Sequence, residues 1–182
     1  MADVFEVINN RRSIREYKEE QIHDVEIERI INAAIMAPTA RGEAPWHFTV
    51  VQNTDFLADI NNTVHNVLKD SGDEFLEAIA YSDKNVFHDA PTVVVVSVRS
   101  DASNMQADAA AAIENMLLAA EGLDIGACWL GLIAAYFEDP QNLKHLHIPE
   151  GYTPLYGVSL GYKAGEAPEA PERSKDVVTW IR

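Results

Sequence analysis

Between Ala107 and Ala120 the chain is apolar on almost every side of a helix. The run is alanine, isoleucine, methionine and leucine, broken by Asp108, Glu114 and Asn115. A helix apolar all round is buried all round. In a single domain of 182 residues little else is left to cover its outer face, so a second copy of the chain is expected there. The alanines would let a facing helix approach closely.

The rest of the pattern alternates helix and strand signals. Asp3 to Asn10 reads as a short helix with Val4, Phe5, Val7 and Ile8 on its inner side. Asp24 is placed to cap a second helix through Ala37, where Val25, Ile27, Ile30, Ile31, Ala34 and Ile35 recur near helical spacing before Pro38. Phe48 to Gln52 is of strand length, and Thr54 to Lys69 and Asp73 to Tyr81 read as helices. Pro91 opens the run Thr92 to Val98, continuous enough for a strand buried on both faces. Gly122 and Gly126 are expected to end the long apolar helix, and a last strand is expected from Pro154 to Gly161. The segment from Lys163 is too rich in Pro and Gly for helix or sheet. Yet Asp176 to Arg182 closes the chain with strand-like residues, which suits an arm reaching a partner's sheet. Residues 1–182 are read as one domain, with 163–182 as the arm and strand that contact the partner.

A formal net charge of −15 disfavours nucleic acid and anionic membranes as partners. No run reaches the roughly 18 apolar residues of a membrane span, and the first residues lack a signal-peptide pattern. One cysteine, Cys128, leaves no disulfide framework or multi-cysteine metal site, and a cytoplasmic location is expected. Against this acidity, Arg11, Arg12, Arg15 and Lys18 gather within eight positions. A solvated turn would explain such a cluster; so would an anion.

Three other features have ordinary explanations. Gly157-Val-Ser159-Leu-Gly161 matches the pattern of a hydrolase nucleophile elbow, but a Pro-rich arm follows it and all six histidines precede Ser159. A strand ending in glycines accounts for the match. His145 and His147 have no third ligand nearby in sequence, so no metal site is expected. Cys128 beside Trp129 reads as a small buried hydrophobe.

The cation cluster gains meaning from its companions. Arg11-Arg12-Ser13-Ile14-Arg15 follows a helix, and Ala37-Pro38-Thr39-Ala40-Arg41-Gly42-Glu43-Ala44-Pro45-Trp46-His47-Phe48 joins a helix to a strand. Gly122 to Gly131 and the late Leu160-Gly161-Tyr162-Lys163 with Arg173 complete the set. In this order and at these distances the four segments resemble the FMN-dependent nitroreductase family over nearly the whole chain. The resemblance implies an α+β fold: a mixed, mainly antiparallel sheet flanked by helices, its C-terminal strand exchanged in a homodimer. It also implies that FMN passes hydride by a ping-pong route from NADH or NADPH to a nitroaromatic, quinone or other small acceptor. No side chain is assigned as a catalytic acid or base, because the cofactor carries the chemistry.

Site roles follow from the same resemblance. Arg11, Ser13, Lys163 and Arg173 would bind the FMN phosphate through charge-assisted forks. Arg12 would reach the phosphate or the ribityl chain. Arg15 would face the N1 and O2 edge of the ring, where charge develops on reduction. Leu130 and Gly131 would bring backbone N–H groups to N5. Pro38, Thr39 and Ala40 would cover the pyrimidine edge from the other subunit. Gly42 and Ala44 stand where the family carries Asn and Gln, so the acceptor cannot be carried over. Asn61, Asn62 and Asn66 are all in range to approach the ring. A flavin-dependent dehydrogenase or dehalogenase of the same fold, or a non-enzymatic FMN-binding redox protein, would share most of these residues.

Overall fold

The computed structural model describes residues 3–182. The Asp3 carboxylate accepts from the Phe5 N–H and starts α1 (Val4–Asn10). Next comes α2 (Asp24–Ala34), where His23 rather than Asp24 is the cap and its N–H is held by Glu26 Oε2 at 3.0 Å. The strands are β1 (Trp46–Val51), β2 (Thr92–Arg99), β3 (Ile125–Leu130) and β4 (Tyr152–Tyr162). Between them lie α3 (Thr54–Leu68), α4 (Glu74–Ala80), α5 (Met105–Gly122) and the short α6 (Pro140–Leu143).

The sheet runs β1-β2-β4-β3, and every pair is antiparallel. Among the described residues its parallel component is a single bridge between Ser13 and Ala127. Strand β2 is central, and its valines alternate with the period of two that a pleated strand imposes. Val94, Val96 and Val98 join a core under α2 and α5, while Val93 and Val95 join a second core under α3. That two-sided burial is what the unbroken run from Thr92 to Val98 predicts. The α+β class expected from the sequence is the one observed.

Three local expectations need correction. Gly126 does not end α5; it lies inside β3. A Cβ there would stand 2.8 Å from the Ile14 Cγ2, so glycine is what allows the Arg11–Arg15 segment to lie against β3. Val4, Phe5 and Ile8 of α1 are exposed rather than inner, since α1 rests only lightly on α5. Val25 and Ile35 of α2 are exposed as well, and that helix ends at Ala34.

Helix α5 buries Ala109, Ala112, Ile113, Met116, Leu117 and Ala120 completely or nearly so. Its outer residues Ala110, Ala111, Leu118 and Ala119 are covered only in part by this chain. Each polar interruption has a partner. Asp108 accepts from the Ala40 N–H, Glu114 meets Arg11, and Asn115 donates to the Ala33 carbonyl at 2.9 Å.

Residues 164–182 run on without helix or strand. Their apolar end is bare: Val177 is 76%, Trp180 74% and Ile181 96% exposed. The outer edge of β1 is also unpaired, and it borders a groove of about 670 Å³ lined by Phe48, Val50, Phe56 and Leu146.

Candidate functional site

The cation-rich segment owes its position to the sheet. Ile14 donates its N–H to the Ala127 carbonyl at 3.0 Å, and Lys18 donates to the Tyr162 carbonyl at 2.9 Å. These bonds lay residues 13–18 across the end of β3 and β4. Tyr17 packs where a Cβ on Gly161 would come within 2.9 Å of its ring. Its hydroxyl donates to the Ile14 carbonyl at 2.7 Å and pairs with the Ser159 hydroxyl at 2.9 Å. Burial pushes the Tyr17 phenol well above its ordinary range, against the Ser159 bond, so it stays neutral.

On this platform Arg11, Arg12, Ser13 and Arg15 line one side of a cavity of about 550 Å³. The opposite side comes from the C-terminal arm: Pro168, Glu169, Ala170, Pro171 and Arg173. Four guanidinium-bearing residues therefore converge on one space. Arg12 is held by bonds from Nη1 to the Asn9 and Arg11 carbonyls, at 2.7 and 2.8 Å. Its Nε is buried with no hydrogen-bond partner in the chain.

Five of the sequence-assigned residues thus meet: Arg11, Arg12, Ser13, Arg15 and Arg173. Lys163, expected at the phosphate as well, is not among the residues that line this cavity. Its ammonium lies 3.1 Å from Glu121 Oε2 and 3.1 Å from Asp124 Oδ1. Burial disfavours its charge, but the bonds to Asp124 and Glu121 outweigh that and raise its pKa. Pro38, Thr39 and Ala40 also lie outside the cavity, on the loop between α2 and β1. Leu130 is buried at the end of β3, which leaves its backbone as the group it can offer. Gly131 follows in the open: a Cβ there would meet nothing within 4 Å.

The arm residues Pro168 to Pro171 and Asn9 of α1 were not assigned from sequence. The prolines gave the available signal, since an arm stiffened by two of them holds one path across a surface. The positive charge of Arg15 bears on the titration of His88, Tyr17 and Cys128. Burial chiefly, and then Arg15, hold the His88 imidazole below its usual pKa. Burial raises the Cys128 thiol despite Arg15, Ser13 and Arg11 beside it, so it is a packed thiol rather than a thiolate.

The Gly157–Gly161 motif has its ordinary explanation. Ser159 sits fully buried within β4, bonded to Tyr17, and not on an elbow. Asn61 receives the Val86 N–H at 2.9 Å, and Asn66 accepts from Lys69. Among the described residues no cluster of three or more His, Cys, Asp or Glu is arranged to hold a metal, and no helix is long and apolar enough to cross a membrane.

Comparison with known proteins gives a consistent result. The model of the nitroreductase family matches residues 8–162. A crystal structure of a nitroreductase with bound FMN from Bacteroides fragilis superposes with a TM-score of 0.91 at 33% identity, covering 100% of both chains. Another, from Desulfitobacterium hafniense and also with bound FMN, gives 0.89 at 26% identity, again over 100% of both. A protein of Archaeoglobus fulgidus, named as a candidate NADH dehydrogenase/NAD(P)H nitroreductase, is 33% identical over 171 residues, 91% of this chain and 88% of its own.

Proposed function

This chain belongs to the nitroreductase family, and on that premise we propose that it is an FMN-dependent oxidoreductase that takes reducing equivalents from NADH or NADPH and delivers them to a small acceptor. The observation that carries the reading is the cavity where Arg11, Arg12, Arg15 and Arg173 converge in a protein of net charge −15. A phosphate offers several acceptor oxygens to forked donors, which suits the guanidinium groups that line the cavity. The relatives solved with bound FMN support the same cofactor.

Bound FMN would supply two-electron chemistry, accepting hydride from the nicotinamide and passing it on. The chain's own task is to bind, orient and polarise. Arg11, Arg12, Ser13 and Arg173 would hold the phosphate end. Arg15, which lines the same cavity, would stabilise negative charge that develops on the ring. The backbone after Leu130 opens at Gly131, where no side chain would obstruct a flat ring. Donor and acceptor would use the same face in turn, which makes the kinetics ping-pong.

The working unit in this reading is a homodimer. The half-covered outer face of α5, the exposed Val177–Ile181 segment and the unpaired edge of β1 each call for a partner surface. One chain's arm laid along another's β1 would answer the last two together. It would also bring the Pro38–Ala40 loop of one chain to the ring held by the other.

Titrating apoprotein with FMN tests the cofactor assignment. Tight uptake that weakens steeply with salt is expected when several arginines neutralise one phosphate. Failure of the full-length protein to bind FMN at any salt concentration would reject it.

A further inference from the structure

We propose that Asp108 is a positioning residue for the flavin site, acting through the Ala40 N–H to fix the path of the Thr39–Ala44 loop. The inference rests on the reading that this loop covers the ring. Asp108 is only 3% exposed, on the inner side of α5 between alanines. Its Oδ1 accepts from the Ala40 N–H at 2.9 Å, and its Oδ2 is buried with no partner. A buried carboxylate with one bond is costly, and an apolar residue would pack there at less expense. The position is therefore explained by what the carboxylate holds.

What it holds is a strained loop. Arg41 has φ 56° and ψ 13°, and Ala44 has φ 45°. Left-handed backbone costs a residue with a Cβ about 1–2 kcal/mol, so the loop keeps this shape only if its surroundings impose it. Three side chains do so. Thr39 Oγ1 accepts from the Ala44 N–H at 3.1 Å. The Glu43 carboxylate accepts from the Ser103 N–H at 2.9 Å and the Ser103 hydroxyl at 2.6 Å. Those bonds are exposed to water, whereas the Asp108 bond is partly buried. A bond to a carboxylate is weakened less by water where it is partly buried than where it is exposed. The Asp108 bond acts at Ala40, directly before the left-handed turn. Asn115, two turns along the same helix, holds the Ala33 carbonyl at the end of α2. Helix α5 thus grips the chain on both sides of Met36 to Thr39.

The test compares Asp108→Asn, which keeps an acceptor of the same size, with Asp108→Ala, which removes it. In apoprotein, trypsin cleavage after Arg41 reports the loop directly. We expect it to rise at least tenfold in Asp108→Ala and to stay within twofold of the parent in Asp108→Asn. In holoprotein, Asp108→Ala should shift the flavin midpoint potential and lower kcat about tenfold, with Asp108→Asn restoring both. If Asp108→Ala does not fold, Asp108→Ser, too short to reach Ala40, carries the same expectations. A variant lacking the acceptor that loses melting temperature yet keeps the parent's cleavage rate, potential and kcat would overturn the inference. So would an Asp108→Asn variant as impaired as Asp108→Ala. Failure of the parent protein to bind FMN would instead reject the functional reading, and the cleavage result would still judge the loop.

Discussion

The Glu114 carboxylate on α5 stands 3.7 Å from the Nε of Arg11, so the central helix sets an anion against one wall of the cation cavity. Both side chains retain solvent, 23% exposed for Arg11 and 51% for Glu114, and such a pair contributes about 0–1 kcal/mol. Glu114 therefore competes with a phosphate for Arg11 more than it secures the fold. Glu114→Gln should tighten FMN binding roughly twofold to fivefold at low salt, and the gain should vanish at high salt. Fluorescence titration at two ionic strengths measures this. Weaker binding would mean that Glu114 aims Arg11.

Lys163 and Arg173 were grouped together by sequence, and the structure separates them. Lys163→Met should destabilise the fold by about 1–3 kcal/mol, because Glu121 is left partly buried without its cation. FMN affinity should barely change. Arg173→Ala should do the reverse, weakening FMN binding by about 1.5–3 kcal/mol with an unchanged melting curve. Denaturation and FMN titration on both variants decide the matter, and loss of FMN in Lys163→Met would restore that residue to the phosphate site.

His88 predicts a pH dependence. Burial first, then Arg15, lower its pKa below the ordinary 6.5, with Asp89 opposing and Lys84 adding a small push. The folded state therefore binds its proton less readily than the unfolded state. The stability linked to His88 is complete above pH 6.5 and is lost as pH falls from there through the folded value. In His88→Gln, urea midpoints should decline less over that acid window than in the parent. Identical slopes would show that His88 has the same affinity for protons in both states.

The proposed exchange of the C-terminal arm gives a further prediction. Truncation after Ser174 removes Val177, Trp180 and Ile181 but leaves Arg173 and every other proposed phosphate ligand. If the tail pairs with a partner's β1, the truncated protein should dissociate on dilution and release FMN in parallel. Sedimentation and flavin fluorescence across one dilution series would follow both. A truncated monomer that retained FMN would refute the shared site.

Much of this organisation is written locally in the chain. The run Thr92 to Val98 announces a strand with two buried faces, and β2 is that strand. Arg11, Arg12 and Arg15 stand out as a cation cluster, and all three line one cavity. Other features depend on contacts distant in sequence. Strand β3 was not foreseen, because Gly126 and Ala127 lower its strand signal and suit a helix exit. The need for Gly126 emerges only from the approach of Ile14, and the occupation of Lys163 only from Glu121 and Asp124. The apolar residues of α1 look inward by composition, yet Phe5 is 72% exposed in one chain. Asp108 reads as a mere interruption of an apolar helix until Ala40 is seen beside it.

The central claim is that the arginine-lined cavity serves a flavin that is reduced by a nicotinamide. Its most direct test is the anaerobic absorption spectrum of FMN-loaded protein before and after adding NADH or NADPH. We predict flavin bands that bleach with at least one donor and return when a quinone or nitroaromatic is added. Flavin bands that neither donor bleaches would contradict the account, because the cavity would then hold FMN without the chemistry assigned to it.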